Sequence, residues 1–324
     1  MKKVLITGAG GFIGSHLTEL CAAKGFKVRA FVHYNANNHW GWLEHAACKN
    51  TIEVVCGDVR DYDAVAQAVQ GCDSVFHLAA LIGIPYSYRS PLAYIKTNVE
   101  GTYNVLEAAK NSGTKNVVVT STSETYGTAQ YVPIDEKHPA VGQSPYAASK
   151  IAADQLAISY HRSFGLPVKI IRPFNTYGPR QSARAIVPTI VTQLLSGPGF
   201  LKLGNLSPTR DLTFVKDSAA AFLAVAGCTA LNGQVVNVGR NDEISVGDLA
   251  GTIAALLKKK VRVVKEGQRV RAKGSEVERL RCDNGKILSH TDWKPRYNLE
   301  QGLKETIAWL KRNQHFYKPE IYNV

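Results

Sequence analysis

The sequence lacks paired cysteines, and this absence excludes two kinds of site. Its six cysteines are scattered without a CxxC pair, at Cys21, Cys48, Cys56, Cys72, Cys228 and Cys282. Close Cys pairs are typical of zinc sites, and a dense, even set of cysteines is typical of disulfide-stabilised secreted domains. The sequence therefore predicts no metal site and no disulfide framework. It predicts reduced, mostly buried thiols in a cytoplasmic protein.

Long apolar runs are absent as well. No stretch reaches the roughly 18 apolar residues that predict a membrane-spanning helix. The opening MKKVLITGAG is too short and too rich in glycine for a signal peptide. A chain of 324 residues has room for one large domain or two intimate ones. We therefore expect a cytoplasmic protein without membrane contact.

Acidic residues are few relative to basic ones. The chain has 26 Asp and Glu against 39 Lys and Arg, a formal net charge of +13. Such a surplus raises the question of nucleic-acid binding. The basic residues are spread out, however, and the densest cluster is Lys258–Lys260 with Arg262 and Lys265. This dispersion predicts a solvated basic surface, some arginines reserved for a diphosphate, and no nucleic-acid partner.

Strands and helices alternate through the first half of the chain. The predicted strands are Lys3–Thr7, Lys27–Val32, Ile52–Cys56, Ser74–Leu78, Asn116–Ser121 and Val168–Pro173, and the long predicted helices are Phe12–Ala23, Leu92–Lys110 and Tyr146–Phe164. Such alternation predicts an α/β fold with a Rossmann-type, doubly wound parallel sheet. Ligands bind such sheets beyond the carboxyl ends of the strands.

The pattern changes after residue 175. Short strands and loops rich in glycine and proline now separate four predicted helices, Ile186–Leu195, Asp217–Ala226, Val246–Leu257 and Leu299–Lys311. We therefore predict a dinucleotide-binding domain over residues 1–175 and a smaller C-terminal substrate-binding lobe over residues 176–324. Some chain segments are free to cross between the two.

A glycine-rich turn follows the first predicted strand and opens the first predicted helix. It reads Gly8-Ala-Gly-Gly11-Phe-Ile-Gly14. Glycines permit a tight turn and close approach of the backbone to a pyrophosphate, and the helix amino terminus supplies N–H donors and a favourable dipole. An ordinary turn between strand and helix is the alternative. The position at the start of an α/β pattern favours dinucleotide binding.

No acidic residue stands at the end of the second predicted strand, where NAD-binding folds often carry one for the ribose 2′-hydroxyl. Residues 29–35 read RAFVHYN. Arg29, His33 and Asn35 are candidates to bind a 2′-phosphate, so NADP is favoured over NAD as the cofactor. Asp58, after the third predicted strand, is a candidate for the adenine amino group, or it merely caps the next turn.

Tyr146 and Lys150 begin the last long helix of the first half. Their i, i+4 spacing places the phenol and the ammonium on one helix face. A free tyrosine has a pKa of about 10, but a fixed Lys⁺ and an oxidised nicotinamide both favour the phenolate. The phenolate can then take a hydroxyl proton while hydride leaves the same carbon. A half-buried Tyr beside a solvated Lys is the alternative reading.

Polar residues follow the fifth predicted strand. Thr122, in the segment Ser121-Thr122-Ser123-Glu124, is placed to hydrogen-bond the same substrate hydroxyl as Tyr146. A carboxylate at the mouth of the sheet is a candidate base for a proton next to a ketone, which makes Glu124 the most informative residue. A surface glutamate at a strand end is the alternative.

These motifs resemble the extended short-chain dehydrogenase/reductase family over nearly the whole chain. The resemblance also rests on His77-Leu-Ala-Ala80, Asn98, Arg172-Pro-Phe-Asn175-Thr-Tyr-Gly-Pro-Arg180 and Arg210-Asp-Leu-Thr-Phe-Val-Lys-Asp217. Family members are epimerases, dehydratases and decarboxylases of nucleotide sugars. The resemblance therefore implies a nucleotide-sugar substrate and a homodimer, formed through a helix pair that includes Leu92–Lys110 and Tyr146–Phe164.

The same resemblance implies roles for single residues. Asn98 would help to position the active-site lysine. The nucleotide diphosphate would be bound by Asn175, Arg180, Arg210 and Arg271, since the planar fork of an arginine binds two phosphate oxygens at once. The cofactor would be bound by Gly8, Gly11, Phe12, Ile13, Gly14, His33, Asn35, Asp58, Val59, Leu78, Ala79, Ala80, Asn98, Tyr146, Lys150 and Pro173.

Within the family, the triplet Thr122-Ser123-Glu124 is similar to that of the GDP-mannose 4,6-dehydratases. Glucose-type dehydratases have an Asp where Ser123 stands. Protonation of the departing C6 hydroxyl would then fall to Ser123 with a water, or to Glu124. UDP-glucuronate decarboxylases carry a similar triplet and a similar FNTYGPR run, so neither motif separates the two activities.

Three further stretches resemble the 4,6-dehydratases of legionaminic-acid-type pathways, which act on nucleotide-linked N-acetylglucosamine. They are Gly41-Trp-Leu, residues 126–136 and Gly204-Asn-Leu-Ser-Pro-Thr-Arg210. The expected function is therefore a 4,6-dehydratase of UDP- or GDP-N-acetylglucosamine. The alternatives are a nucleotide-sugar 4-epimerase, a UDP-glucuronate decarboxylase and, outside enzymology, a redox sensor that keeps the dinucleotide site.

Overall fold

A computed structural model describes residues 2–197, 200–270 and 273–322. Its strands are β1 (Lys3–Thr7), β2 (Lys27–His33), β3 (Glu53–Gly57), β4 (Ser74–His77), β5 (Asn116–Thr120), β6 (Val168–Pro173), β7 (Asn175–Tyr177), β8 (Phe200–Leu203), β9 (Thr209–Arg210), β10 (Leu212–Phe214), β11 (Val235–Val238), β12 (Ile244–Ser245), β13 (Arg262–Lys265) and β14 (Arg279–Leu280). Its α-helices are α1 (Phe12–Ala23), α2 (Tyr62–Val69), α3 (Ile84–Arg89), α4 (Pro91–Tyr94), α5 (Gly101–Asn111), α6 (Pro145–Phe164), α7 (Ile186–Ser196), α8 (Val215–Gly227), α9 (Val246–Leu256), α10 (Gly285–His290) and α11 (Leu299–Arg312).

Seven of these strands form one parallel sheet in the order β11–β6–β5–β4–β1–β2–β3. The order reverses between β1 and β4, which is the topological switch point of a doubly wound sheet. Neighbouring strands pair in parallel register, as Val4 with Val28 and with Ser74. The predicted Rossmann-type α/β class is therefore confirmed, and β1 and β6 begin and end at the predicted residues.

Helices cover both faces of the sheet because successive strand residues point to opposite sides. Val4 and Ile6 of β1 belong to the core beneath α1 and α8, whereas Leu5 belongs to the core beneath α2, α5 and α6. The predicted helix over 92–110 is interrupted: a π-helical segment, Ile95–Glu100, lies between α4 and α5. π-Helical turns are frequent at functional sites.

The C-terminal half of the chain contributes to both parts of the molecule. Helices α7, α9 and α11 enclose a separate apolar core with residues such as Ile190, Ile253 and Leu303. In contrast, α8 packs on α1, and β11 extends the main sheet by pairing with β6, as Val236 does with Ile171. The division into two units at residue 175, with segments crossing between them, stays a prediction.

Over 2–197, 200–270 and 273–322, no helix is both long enough and apolar enough to cross a bilayer.

Candidate active site

The carboxyl ends of the parallel strands open into a cleft of about 1040 Å³. This volume lies slightly above the roughly 300–1,000 Å³ usual for ligand pockets. One wall is formed by the loops after β1, β2, β4 and β5 and by the start of α6, and the opposite wall by residues of the C-terminal half. The cleft therefore lies where ligands of doubly wound sheets bind.

The glycine turn shapes one end of this cleft. Gly8 has φ +68°, and a Cβ there would lie 2.8 Å from the backbone nitrogen of Ala79. A Cβ on Gly14 would collide with the carbonyl oxygen of Gly8. No side chain of the described residues caps α1, so its first N–H groups are available to an anionic ligand. The predicted residues that line the cleft here are Gly8, Gly11, Phe12, Ile13 and Gly14.

His33 and Asn35, at the end of β2, also line the cleft. The Asn35 amide nitrogen donates to the carbonyls of His33 and His39 at 3.2 and 2.7 Å, and its oxygen accepts the N–H groups of Asn37 and His39 at 3.2 and 3.0 Å. Asn35 thus holds its own loop in shape. The His33 side chain is 75% exposed and is the better placed of the two for a ligand.

The structure does not bring Asp58 and Val59 to the wall of the cleft. Asp58 accepts hydrogen bonds from the backbone N–H and from Nε of Arg60, both at 2.9 Å, and the bonded guanidinium lowers the pKa of its carboxyl. Asp58 is thus observed to cap the next turn. Val59 is buried. Arg29 also points elsewhere, because its Nε donates to Glu53 at 2.9 Å.

The other predicted cofactor contacts lie where strands β4 and β6 end. Leu78, Ala79 and Ala80 follow β4, and Pro173 ends β6. All four line the cleft. The backbone N–H groups of Leu78 and Ala79 both donate to the Thr7 hydroxyl at 3.2 Å, which joins the ends of β1 and β4 across the switch point.

Tyr146 and Lys150 lie in the first turns of α6 and line the cleft together with Thr122. The helix begins where the Ser144 hydroxyl accepts the N–H of Ala147 at 3.1 Å. Tyr146 is 7% exposed and Lys150 3% exposed. The Thr122 side chain lies close enough to the Tyr146 phenol to lower the pKa of the phenol. The arrangement can therefore present a phenol and a threonine hydroxyl to the same ligand oxygen.

Burial opposes ionisation of both members of the pair. It raises the pKa of Tyr146 above the usual range, and the charge of Glu124 raises it further, whereas the hydrogen bond from Thr122 lowers it. Burial lowers the pKa of Lys150 to about 8, against the raising effect of Asp154. Lys150 is thus still largely protonated at neutral pH. A phenolate at Tyr146 requires an additional positive charge close to the ring.

A buried carboxylate lies behind Lys150 on the same face of α6. Asp154 is fully buried, and its Oδ2 accepts from Arg172 Nη2 and from the Ser121 hydroxyl, both at 2.8 Å. Its Oδ1 has no hydrogen-bond partner among the described residues. The Arg172 guanidinium also lies 4.7 Å from the centre of the Tyr126 ring. Sequence reasoning missed Asp154, although its i+4 spacing from Lys150 was a usable signal.

Glu124 reaches the cleft through a short 3-10 helix, Ser123–Tyr126, that follows β5. The Thr122 hydroxyl accepts the N–H of Glu124 at 3.2 Å and thereby fixes the first turn. Glu124 lies near enough to Tyr146 for its charge to raise the pKa of the phenol. Ser123 is buried and also lines the cleft. The structure therefore brings all five predicted catalytic residues together.

Asn98 hydrogen-bonds Ser149, the residue before Lys150 in α6. It is fully buried in the π-helical segment. Its amide nitrogen donates to the Leu81 carbonyl at 2.9 Å and to the Ser149 hydroxyl at 3.0 Å, and its oxygen accepts the Leu81 N–H at 2.9 Å. Asn98 thus ties the loop after β4 to α6 beside Lys150, rather than contacting the cofactor wall itself.

Two of the predicted substrate residues line the opposite side of the cleft. Asn175 does so, and its buried Oδ1 has no hydrogen-bond partner within the described part of the chain. Arg210 donates from Nη1 to the Thr209 carbonyl at 2.8 Å and forms an ion pair with Glu276 at 3.6 Å. Both positions suit contact with a polar ligand, and the Glu276 carboxylate holds the guanidinium at the wall.

The other two predicted substrate residues are not placed in the cleft. Arg180 has φ 70°, and this left-handed turn sends its side chain to α1, where Nη1 and Nη2 pair with the Glu19 carboxylate, each at 2.9 Å. Arg271 lies outside the described residues. The sequence analysis missed Arg184, Arg269 and Glu276, which do line the cleft.

The family model described as GDP-mannose 4,6 dehydratase matches residues 5–306. A UDP-N-acetyl-alpha-D-glucosaminuronate decarboxylase from Bacillus cytotoxicus is 32% identical, covering 96% of this chain and 98% of that protein. A dTDP-glucose 4,6-dehydratase from Streptomyces antibioticus is 31% identical, covering 98% of this chain and 95% of that protein.

A solved structure shows the same architecture. The dTDP-glucose 4,6-dehydratase from Streptomyces venezuelae, with NAD bound, superposes with a TM-score of 0.88 at 30% identity and covers 98% of this chain and 99% of that one. The family model spans most of the sequence, and the two relatives cover 96% and 98% of it. The chain belongs to the GDP-mannose 4,6-dehydratase family, among the extended short-chain dehydrogenases/reductases.

Proposed function

We propose that the protein is a nucleotide-sugar 4,6-dehydratase. The observation that supports this most directly is the placement of Glu124 in the same cleft as Tyr146, Thr122 and Lys150. Oxidation at one sugar carbon needs the tyrosine, and removal of a proton from the next carbon needs a second base nearby. The family model and the dTDP-glucose dehydratase relatives support the same reaction class.

The residues at the glycine turn fit a nicotinamide dinucleotide. Gly8 and Gly14 leave space that a Cβ would fill, and the N–H groups at the start of α1 suit a pyrophosphate. Phe12, Ile13 and Ala79 would line the same ligand. When bound there, an oxidised nicotinamide would supply the hydride chemistry, taking hydride from C4 of the sugar and giving it back at C6.

Side chains of the protein carry out the proton transfers of this proposed reaction. Tyr146, as phenolate, takes the proton of the C4 hydroxyl, while Thr122 hydrogen-bonds the same oxygen and Lys150 keeps positive charge close by. The C4 ketone then acidifies the C5 proton, which Glu124 removes. The C6–O bond breaks as the C5–C6 double bond forms, and the leaving hydroxyl takes its proton from Glu124 or from Ser123 through a water. When hydride is returned to C6, C5 takes the proton that Tyr146 or Glu124 still holds. The net change is the loss of one water, and the acid–base residues and the cofactor end as they began.

We infer that the substrate is UDP- or GDP-N-acetylglucosamine. Asn175 and Arg210 line the wall where a diphosphate would lie, and their donors suit phosphate oxygens. The name of the Bacillus cytotoxicus relative contains an N-acetylated, UDP-linked sugar, which supports the N-acetyl group. That relative is a decarboxylase, so it also supports one of the alternative reactions.

Mass spectrometry of the purified protein with UDP- and GDP-N-acetylglucosamine tests the proposal. A dehydratase yields a product lighter by one water. An unchanged mass with a changed sugar configuration would instead identify a 4-epimerase. Loss of carbon dioxide from a nucleotide-linked uronate, with no reaction of the neutral sugars, would identify a decarboxylase. Failure to convert any nucleotide sugar would favour the redox-sensor alternative.

We propose NADP as the preferred cofactor, with NAD as the alternative. No acid ends β2, and the exposed His33 lies at the rim of the cleft. Asp58 lies 3.8 Å from His33 but is engaged by Arg60, which reduces its repulsion of a 2′-phosphate. The Streptomyces venezuelae relative holds NAD, which supports the alternative. Binding constants for NADP⁺ and NAD⁺, with His33→Ala as a second protein, decide between them.

We also propose a homodimer formed by the helices α4 to α6. Apolar side chains on and beside these helices are exposed, including Leu92, Ile95, Tyr103 and Phe164 at 45–60%. Such patches are typical of interfaces. Light scattering during gel filtration gives the mass directly, and Leu92→Glu should shift a dimer toward monomer. A monomeric wild type would contradict the proposal.

A further inference from the structure

Arg184 crosses the mouth of the cleft from the C-terminal half to the sheet. It lies in the loop between β7 and α7 and lines the cleft. Its Nη1 approaches the turn after β4 so closely that a Cβ on Gly83 would lie 2.8 Å from it. Gly83 also accepts a hydrogen bond from the hydroxyl of Tyr94, whose ring centre is 6.1 Å from that of Tyr146. The guanidinium therefore sits between the two walls, close to the catalytic residues.

Arg184 also differs from the other arginines of the cleft. Arg210 is paired with Glu276, and Arg269 is paired with Glu266 and lies over the Tyr322 ring at 4.7 Å. Arg184 is exposed, and its side chain donates from Nε to the Ser182 hydroxyl at 3.2 Å. Among the residues that the structure describes, no carboxylate lies within ion-pair distance of it.

The spacing along the chain reinforces this contrast. The sequence predicts Arg180 as a phosphate ligand, but both of its terminal nitrogens are bonded to Glu19. Arg184 follows four residues later and does line the cleft, with its Nη1 beside Gly83. The guanidinium of Arg184 forms no ion pair with a carboxylate of the described residues and lies in a cleft that suits anionic ligands. A phosphate group is complementary to it, because phosphate oxygens can accept two parallel N–H bonds from one guanidinium.

We propose that Arg184 binds a diphosphate in this cleft and is a determinant of ligand affinity that the sequence analysis did not identify. The inference rests on the proposed function, since it takes the ligands to be nucleotides with diphosphate groups. Two such groups would lie near the guanidinium, that of the nucleotide sugar and that of the dinucleotide. The chemistry is the same for both, and binding measurements on each ligand separate them.

The test is calorimetric binding to wild type, Arg184→Ala, Arg184→Lys and the control Arg262→Ala. Arg262 is exposed on β13 and lies outside the lining of the cleft. Its replacement by alanine therefore removes the same positive charge from the protein but no contact with a ligand in the cleft. The probes are UDP, GDP and NAD(P)⁺, each alone, and no turnover is needed. Arg184→Ala should bind one class of diphosphate at least roughly tenfold more weakly, the lower range for a lost charge-assisted hydrogen bond.

Arg184→Lys should recover part of the affinity, because an ammonium keeps the charge but not the fork. Weaker UDP or GDP binding with unchanged NAD(P)⁺ binding supports the proposal and assigns Arg184 to the substrate. The reverse supports it and assigns Arg184 to the cofactor. Wild-type affinity for all probes, equal weakening of both classes, or the same loss in Arg262→Ala would overturn it. A wild type that binds no nucleotide would instead refute the proposed function.

Discussion

The two walls of the cleft are held in place by different kinds of contact. On the side of the sheet, Tyr146, Lys150 and Asp154 are buried in one helix, and the glycine turn fits against backbone atoms with no spare space. On the side of the C-terminal half, charged pairs such as Arg210 with Glu276 sit on short strands and loops. We expect the first wall to fix the position of the catalytic side chains and the second to determine the affinity for a phosphate-containing ligand. Chemistry and ligand affinity should therefore be separable by mutation.

The largest effect is expected from Tyr146→Phe, on the rigid wall. It removes the proposed base for the hydroxyl proton, so kcat should fall about 10²–10⁴-fold while the affinity for nucleotide ligands changes little. The measurement is kcat together with binding of a nucleoside diphosphate. Tyr160→Phe is a matched control on the same helix, since its hydroxyl donates to Glu107 outside the cleft. A nearly active Tyr146→Phe enzyme would contradict the assigned base.

Glu124→Gln should stop the reaction one step later. Oxidation at C4 remains possible, but removal of the C5 proton does not, so overall turnover should fall at least about 100-fold. Reduced nicotinamide should accumulate in a single turnover, where absorbance detects it. Glu300→Gln, at an exposed position on α11, is the control. Full turnover in Glu124→Gln would count against the second base and in favour of an epimerase.

Arg210→Ala tests the wall of the cleft that the C-terminal half forms. Loss of charge-assisted hydrogen bonds should weaken binding of the nucleoside diphosphate by roughly ten- to a hundredfold, with a rise in KM and a smaller change in kcat. Arg279→Ala is the control, since Arg279 lies on the adjacent strand β14 and bonds Glu243 outside the cleft. A fall in kcat at unchanged KM would show that the two walls are not separable.

The smallest effect, a shift in pH dependence, is expected from Asp154→Asn. Lys150 has its pKa lowered to about 8 by burial, and the Asp154 carboxylate counters that shift. Activity that needs charged Lys150 is lost as the pH rises through this pKa. Removing the carboxylate lowers the pKa of Lys150 further, so the alkaline limb of kcat should move to lower pH.

Ser121→Ala is the control for this shift, because it removes a hydrogen bond to Asp154 but leaves the charge in place. A profile of kcat against pH for wild type and both variants makes the measurement. An unmoved alkaline limb in Asp154→Asn would show that Lys150 does not depend on this carboxylate.

Much of the sheet could be predicted because its strands are short apolar runs between turns and long helices. The strand β11 could not be assigned in this way. Its sequence, VVNV, is brief and contains a polar residue, Asn237, which is fully buried. Burial is tolerated because the side-chain amide of Asn237 accepts a hydrogen bond from the Tyr126 hydroxyl and donates one to the Ile134 carbonyl. Such partners lie far away in the chain, so a sequence pattern does not reveal them.

The sequence also did not predict the direction in which side chains of the loops point. The motif containing Asn175 and Arg180 marked the correct loop, and the Tyr146 helix was placed to within one residue. The left-handed backbone at Arg180 turned that side chain away from the cleft, however, and left Arg184 facing it. Spacing predicts a face only within a regular helix or strand. The substrate wall consists mainly of loops, so it could be predicted less well.

The position of β11 constrains how the newly made chain folds. The sheet lacks its last strand, and the core beneath α1 lacks the cover of α8, until residues 215–238 have left the ribosome. A fragment ending at residue 175 would expose β6 as an open edge, and such edges pair with other chains. Synthesis of well over half the polypeptide must therefore precede stable closure of the nucleotide-binding half, which makes nascent chains of intermediate length the species most exposed to aggregation.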